Sequence, residues 1–212
     1  MAVLEGGTSA SLAEVGAAAA IPLHVTAKPL PVGTLGHYAV AAETGAIAAG
    51  MAANGQLFSC RWTDATRFAA ISSIIVTGMR ATTAFAVGTI TIKATVARSF
   101  TASASGGTPI TLTGDNQQLR TSFGASLFGD MRIASTAALT AGTQTLDTQD
   151  IGQITTHSSA GWNAATPIIG STYLPTVNLF VPRIADGEHP LILAQNEGVV
   201  VRSSAGLTIA TL

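Results

Sequence analysis

The sequence predicts an all-β protein, with an antiparallel β-sandwich or jelly-roll-like body and an extended N-terminal arm. After residue 55, several segments alternate between apolar and polar residues with a period of two, as half-buried strands do. Groups of Gly, Asp, Asn and Ser separate these segments and are typical of turns. No segment between them is long and periodic enough to be a crossover helix, which disfavours an α/β sheet.

Residues 1–55 are predicted to form the arm and residues 56–212 the body. The arm is rich in Ala, Gly and Pro. Ser11–Ala20 is a candidate short helix, with Glu14 in its first turn. The stretch Ile21–Val32 contains three prolines and is expected to be extended. Both an arm lying on a neighbouring subunit and a disordered tail fit this composition.

The most regular strand pattern is Gly88–Ala97, where Ile, Ala and Val alternate with Thr and Lys. Leu57–Trp62 also alternates, and the β-branched run Ile71–Met79 is typical of a strand buried on both faces. Because both precede Gly88–Ala97, a meander is expected. The stretch Thr136–Thr176, rich in Thr, Ser, Gly and Gln, is interpreted as long surface loops with one short strand. Further strands are predicted at Ser99–Ala102, Thr108–Thr113, Met131–Ser135, Leu179–Val181, Pro190–Ala194, Gly198–Arg202 and Leu207–Leu212.

The chain is apolar and nearly uncharged. Its 212 residues are 47% hydrophobic but only 10% charged, whereas soluble domains carry about 25% charged residues. We therefore expect much of its surface to be covered by copies of itself or by other proteins. With a net charge of -1 and lysines only at Lys28 and Lys93, it lacks the basic surface that nucleic-acid binding requires.

No membrane span or export signal is expected. The best candidate span, Tyr38–Ala53, is interrupted by Glu43 and is shorter than the roughly 20 residues that a spanning helix needs. The apolar run Val15–Ile21 is preceded by the acidic Glu5 and Glu14 instead of by positive charge. The protein is expected to be made and assembled in the cytoplasm.

No arrangement of residues indicates catalysis, a metal site or a cofactor. The adjacent Glu188 and His189 follow Asp-Gly and precede a proline, so they are interpreted as a turn leading into a strand. Asp147 and Asp150 lie in the predicted loop, where bonds to local backbone are commoner than a calcium ion. The single cysteine, Cys60, is interpreted as a small buried hydrophobe. We predict no enzyme, no cofactor and no metal.

Charge and aromaticity are concentrated at residues 61–67. Arg61, Trp62, Asp64 and Arg67 are candidate interface residues, because Arg and Trp are favoured binding anchors. The alternative interpretation is structural: Trp62 caps the core at a strand end, and Asp64 pairs with one of the two arginines across a turn. The two interpretations have equal weight and are compatible in an oligomer.

Five segments resemble tailed-bacteriophage virion proteins, a group known mainly as uncharacterised structural proteins. The resemblance covers roughly Gly55–Gly206 and includes no catalytic motif. The segments are Cys60–Arg67 (CRWTDATR), Ala97–Thr101 (ARSFT), Leu112–Ser122 (LTGDNQQLRTS), Gly129–Thr140 (GDMRIASTAALT) and His189–Gly198 (HPLILAQNEG).

This resemblance implies a virion component, and a head decoration or cement protein is the leading expectation. Its partners would be further copies of itself, with a trimer as one arrangement, and phage structural proteins such as the major capsid protein. One alternative is a tail, baseplate or fibre-associated component that binds a receptor through the Thr136–Thr176 loops. A virion-associated carbohydrate-active enzyme is a more distant alternative, because no pair of acids suggests glycosidic chemistry.

Overall fold

A computed structural model describes residues 36–45, 47, 51–77, 88–112, 118–119, 124–158, 176–183 and 186–204. The predicted helix Ser11–Ala20, the segment Ile21–Val32 and the predicted strand Leu207–Leu212 lie outside these residues. The division at residue 55 stays a prediction. Two residues that precede it, Ile47 and Met51, are buried in the core at 1% and 7% exposure.

The described residues form ten strands, and every strand pairing is antiparallel. No α-helix occurs within the described ranges, so the prediction of an all-β protein is confirmed. The strands are β1 (Gln56–Trp62), β2 (Ala69–Ile71), β3 (Ile74–Val76), β4 (Gly88–Ala102), β5 (Thr108–Pro109), β6 (Phe128–Ile133), β7 (Thr143–Ser158), β8 (Val177–Phe180), β9 (Leu191–Leu193) and β10 (Glu197–Ser203).

Six strands form the main sheet in the order β5-β6-β1-β10-β4-β7. At its centre, Val199 of β10 lies opposite Cys60 of β1 on one side and Val96 of β4 on the other. Such β-branched and small apolar residues suit a strand that has neighbours on both sides. The remaining strands form two ribbons, β2–β9 and β3–β8.

The predicted meander is wrong. The neighbours of β1 are β6 and β10, and β10 separates β1 from β4. The intervening β2 and β3 leave the main sheet and pair with β9 and β8. The prediction that Ile71–Met79 is buried on both faces is also wrong, because it divides into two short strands up to residue 77 and Ile75 is 51% exposed. Its residues cover a sheet instead of lying inside one.

The loop prediction for Thr136–Thr176 is wrong for the segment that forms β7. This strand pairs with β4 in unbroken register from Gly88 opposite Ser158 to Ala94 opposite Gly152. Thr and Gln suit a strand at a sheet edge, where much of the side-chain surface meets water. The segment was predicted as a loop because its composition, rich in Thr and Gln, is also typical of surface loops.

The other strands lie close to their predicted positions. The patterned segment Gly88–Ala97 is a strand, and it continues through Ser99, whose φ of 47° bends the chain, into the segment predicted as a separate strand. The predicted Thr108–Thr113 is reduced to the two residues of β5. The predictions at Leu57, Met131, Leu179, Pro190 and Gly198 correspond to β1, β6, β8, β9 and β10.

Both ribbons lie on one face of the main sheet, called here the covered face. On the β1 side, Leu193 and Ala69 of the β2–β9 ribbon pack with Cys60, Met131 and Val199 of the sheet. On the β4 side, Leu179 of the β3–β8 ribbon joins a second cluster, whose sheet members include Ile90, Ile92, Ala94 and Val201. The hydrophobic core therefore lies between the sheet and the ribbons.

The opposite face is crossed by the chain that joins β4 to β5. A β-carbon at residue 198 would lie 2.9 Å from the Phe100 ring, so this ring packs against the backbone of Gly198. Further along, Arg61 Nη1 donates to Ser103 Oγ at 3.1 Å, and Arg132 Nη1 donates to the Gly106 carbonyl at 3.0 Å. Residues 103–107, the crossing segment, therefore contact β1 and β6, while Phe100 at the end of β4 contacts β10.

Candidate interaction surface

The turn after β1 is organised by the Asp64 carboxylate. Its Oδ1 accepts hydrogen bonds from the backbone N–H of Thr66 at 2.9 Å, the Thr66 hydroxyl at 3.0 Å and the backbone N–H of Arg67 at 2.7 Å. The bonds from Thr66 hold the pKa of Asp64 below its usual range, and Arg67 assists. The expected ion pair of Asp64 with an arginine is replaced by an Asx-type turn, in which local N–H groups bind the carboxylate.

Trp62 closes the core beside this turn. It is 6% exposed, packs edge-on against the Phe128 ring at 5.1 Å between centroids, and donates its indole N–H to the Arg67 carbonyl at 2.7 Å. A buried indole needs such a partner for its N–H. This geometry agrees with the interpretation in which Trp62 caps the core at a strand end.

The four candidate residues do not form one surface. Arg61 binds Ser103 on the opposite sheet face, Trp62 is buried, and Asp64 is bonded within its turn. Arg67 is exposed, and its backbone supports both Trp62 and Asp64. A role of these residues in an interface stays a prediction, in which Arg67 has the most accessible side chain.

Arg67 is followed by a more apolar surface on the outer side of the β2–β9 ribbon. Phe68 is 71% exposed and Ile192 is 45% exposed. Ile192 lies opposite the exposed Ala70, while their neighbours Ala69 and Leu193 are buried. The alternation of a strand therefore turns one set of apolar residues to the core and the other to solvent.

The β3–β8 ribbon also has exposed apolar residues, although Ile75 lies opposite the exposed polar Asn178. Ile75 is 51% exposed, and Val181, directly after β8, is 46% exposed. We define the ribbon surface as Phe68, Ala70, Ile75, Val181 and Ile192. Phe68 and Ile75 lie only seven positions apart in a chain segment that forms both ribbons.

Sequence reasoning missed the ribbon surface, because Ile71–Met79 resembled a strand buried on both faces. No short-range signal distinguishes the exposed Ile75 from its half-buried neighbours Ile74 and Val76. Only the partition of this run between two ribbons shows which side chains face outward. Large apolar side chains grouped on one side of a domain are typical of a contact surface.

Several charged side chains, in contrast, are paired with one another within the chain. Asp150 on β7 binds Lys93 Nζ at 2.8 Å through Oδ2, and the Thr95 hydroxyl at 2.6 Å and Arg202 Nη2 at 3.2 Å through Oδ1. Burial opposes ionisation of Asp150, but the hydrogen bonds from Lys93, Thr95 and Arg202 outweigh it and hold its pKa below the usual range. Arg202 also donates to Asn54 Oδ1 at 3.0 Å.

A second group of charges lies at the far end of the sheet. Arg98 forms ion pairs with Asp147, at 3.3 Å from Nε to Oδ1, and with Glu197. Hydrogen bonds to Asp147 and then to Glu197 raise the pKa of Arg98. The expectation that Asp147 and Asp150 lie in a loop and bind local backbone is therefore wrong, because both lie on β7 and bind cations of β4 and β10.

Glu188 and His189 occupy a turn, as predicted. Glu188 Oε2 accepts the backbone N–H of Arg183 at 2.7 Å, and this bond is the main reason that the pKa of Glu188 is lowered. His189 Nδ1 lies 2.8 Å from the Pro190 carbonyl, and β9 begins at Leu191. The described residues contain no group of three or more His, Cys, Asp or Glu side chains placed to hold a metal ion.

Comparisons with protein-family models, with curated proteins and with solved structures return no match. Within the described part of the chain, no helix has the length and hydropathy needed to cross a membrane.

Proposed function

We propose that this protein is a bacteriophage virion structural protein, a homo-oligomer that binds the head as a decoration or cement protein. The observation that carries the proposal is the ribbon surface: exposed large apolar side chains on the outer side of both ribbons, in a chain with only 10% charged residues. The sequence resemblance to virion proteins supplies the biological setting.

The electrostatics support an assembly role. Asp150 pairs with Lys93 and Arg202 on the main sheet, and Arg98 pairs with Asp147 and Glu197. None of these charged residues belongs to the ribbon surface, so a partner protein that covers only that surface would not have to desolvate them. Removing charges from water is the main cost that burial of a charged surface incurs.

The function would be mechanical. Burial of apolar surface stabilises a contact by about 25 cal/mol per Å² before the cost of association, and symmetry repeats each contact around a particle. The proposed architecture is a sandwich, with the main sheet as one layer, the two ribbons as the other, and an N-terminal arm reaching a neighbouring subunit.

Localisation in purified particles tests the proposal directly. Cryo-electron microscopy with symmetry averaging is expected to show density for this protein over the capsid shell, in contact with the major capsid protein. Density confined to the tail, baseplate or fibre would instead support the alternative, a component that binds a host receptor during adsorption. Absence of the protein from purified particles would contradict a virion role of either kind.

A variant pair tests the ribbon surface. Phe68→Asp places a charge on the most exposed large apolar side chain of the described residues. The purified variant is expected not to bind phage particles that were made without this protein, whereas purified wild type is expected to bind them. Thr108→Asp changes an exposed residue on β5, outside the ribbon surface, and is the matched control. Attachment that survives Phe68→Asp unchanged would exclude the ribbon surface as the contact.

A further inference from the structure

The two edges of the main sheet are built differently. At one edge, β5 has two residues and includes Pro109, which has no backbone N–H to offer a further strand. At the other edge, β7 has 16 residues and contains neither Pro nor Lys. Short length, Pro, charged side chains and β-bulges are the usual protection of an exposed edge, so β5 is protected, whereas the part of β7 after Asp150 is not.

The second half of β7 is the most regular part of this edge. From Gly152 to Ser158 its pairing with β4 has no register shift, whereas the shifts that bend a ladder occur before Gly152. Among the described residues, its strand partner is β4 alone. The backbone N–H and C=O groups on its outer side are therefore arranged as a regular template for one more antiparallel strand.

The chemistry of this segment favours an identical strand as the partner. Residues 151–158 carry no Asp, Glu, Lys or Arg. The exposed Gln153 and Thr155 each offer both a hydrogen-bond donor and an acceptor. Thr155 can therefore pair with its own copy at a two-fold axis and Gln153 can bond to another uncharged polar side chain, whereas charged side chains would repel their own copies across such an axis.

A two-fold axis at Thr155 keeps the acids apart. In that register Gly152 faces Ser158 of the other copy and Thr155 faces its own symmetry mate. Asp150, the nearest acid, lies five positions before the axis in each copy, so the two Asp150 carboxylates lie on opposite sides of the axis. No carboxylate faces another carboxylate, and the chain's net charge of -1 adds little repulsion between copies.

The hydroxyl of Thr155 is already ordered within one copy. Its Oγ1 lies 2.8 Å from Thr91 Oγ1 on the neighbouring strand β4. Two-fold pairing at Thr155 would extend this contact into a row of four threonines, two from each copy. Cross-strand Thr–Thr pairs are among those that stabilise antiparallel sheets.

We propose that β7 pairs antiparallel with β7 of a second copy about an axis at Thr155, so that the main sheets of two copies become one continuous sheet. This contact specifies how the proposed homo-oligomer associates with itself, and it rests on that part of the proposed function. It gives a dimer, because a two-fold contact closes with two copies.

The experiment combines light scattering with cysteine cross-linking of the full chain. Wild-type protein is expected to have the mass of a dimer, and Thr155→Lys to have the mass of a monomer with unchanged circular dichroism and melting temperature. Thr108→Lys, on the protected edge, is the matched control and is expected to remain dimeric. Thr155→Cys is expected to form a disulfide-linked dimer under mild oxidation, and Thr143→Cys, at the other end of β7, is not.

The outcomes separate the two proposals. An oligomer whose mass is unchanged in Thr155→Lys, and which Thr155→Cys does not cross-link, would overturn the β7 pairing while the proposed self-association stands. A wild-type monomer at high micromolar concentration would overturn both. Cross-linking of Thr143→Cys in place of Thr155→Cys would overturn the register and the position of the axis.

Discussion

The carbonyl oxygen of Leu179 lies where a side chain of residue 152 would begin: a β-carbon built on Gly152 would be 1.5 Å from that oxygen. The backbone of β8 therefore packs directly on the backbone of β7. This approach holds the β3–β8 ribbon against the main sheet, and only glycine permits it.

Gly152→Ala is expected to destabilise the protein by about 1 to 3 kcal/mol, because β8 must move away from the sheet to admit the methyl group. Gly124→Ala is the control, since a β-carbon there would have nothing within 4 Å. Denaturant unfolding of both variants measures the difference. Equal stability of the two variants would contradict the close packing of β8 on β7.

Asp150→Asn is expected to reduce stability by about 2 kcal/mol near neutral pH, because Lys93 and Arg202 lose the charge that both bind. Asp147→Asn is the matched control on the same strand. Its side chain is 36% exposed, against 14% for Asp150, so its loss is expected to stay below about 1 kcal/mol.

The stability difference between wild type and Asp150→Asn is also expected to depend on pH. Because the pKa of folded Asp150 lies below the ordinary value of 3.8, its contribution to stability is complete above that value and declines as the pH falls through the folded pKa. The stability difference between wild type and Asp150→Asn is therefore expected to shrink on acidification. Melting temperatures measured from neutral pH down to about pH 3 test this; a difference that grows in acid would contradict it.

Two phenylalanines are expected to separate folding from assembly. Phe100 is fully buried, and Phe100→Ala should cost about 3 to 5 kcal/mol of stability. Phe68 is 71% exposed, and Phe68→Ala should change the stability of the isolated chain by no more than about 0.5 kcal/mol. Thermal unfolding measures both values. A large loss in Phe68→Ala would show that its ring supports the fold instead of a contact.

Cys60 is expected to be inert in the native protein. Burial raises its pKa to about 12; a hydrogen bond with the Val199 backbone opposes this shift, and the Asp130 charge adds to it. The reactive thiolate is therefore scarce at ordinary pH. Ellman's reagent should modify the thiol rapidly in denaturant. In the absence of denaturant, the rate of modification should not exceed the rate at which the protein unfolds locally or globally. Rapid stoichiometric modification of native protein would contradict the burial.

The sequence predicted those strands whose faces differ in polarity. Gly88–Ala97 alternates because Ile90, Ile92, Ala94 and Val96 face the core, although Thr95 on the other side is also fully buried. The pattern was misleading for Ile71–Met79, because a run of β-branched residues does not reveal whether the chain enters a sheet or divides between two covering ribbons. That outcome depends on β8 and β9, more than 100 positions later.

The strand β7 and the ribbon surface were missed for related reasons. An edge strand has few buried side chains, so Thr143–Ser158 has the composition of a loop. The partners of its acids, Lys93 and Arg202, are distant in sequence, and only the sheet order brings them together. Local pattern likewise located Trp62 at a strand end but not the exposed Phe68 beside its turn.

The position of β10 between β1 and β4 has a consequence for biosynthesis. Among the described strands β10 is the last to leave the ribosome, yet both central pairings of the sheet require it. At about 5 to 20 residues per second, β1 waits on the order of ten seconds for this partner. Throughout that interval the edge of β1 that will pair with β10 stays unpaired. The two halves of the main sheet can join only after Ser203, the last residue of β10, has been made.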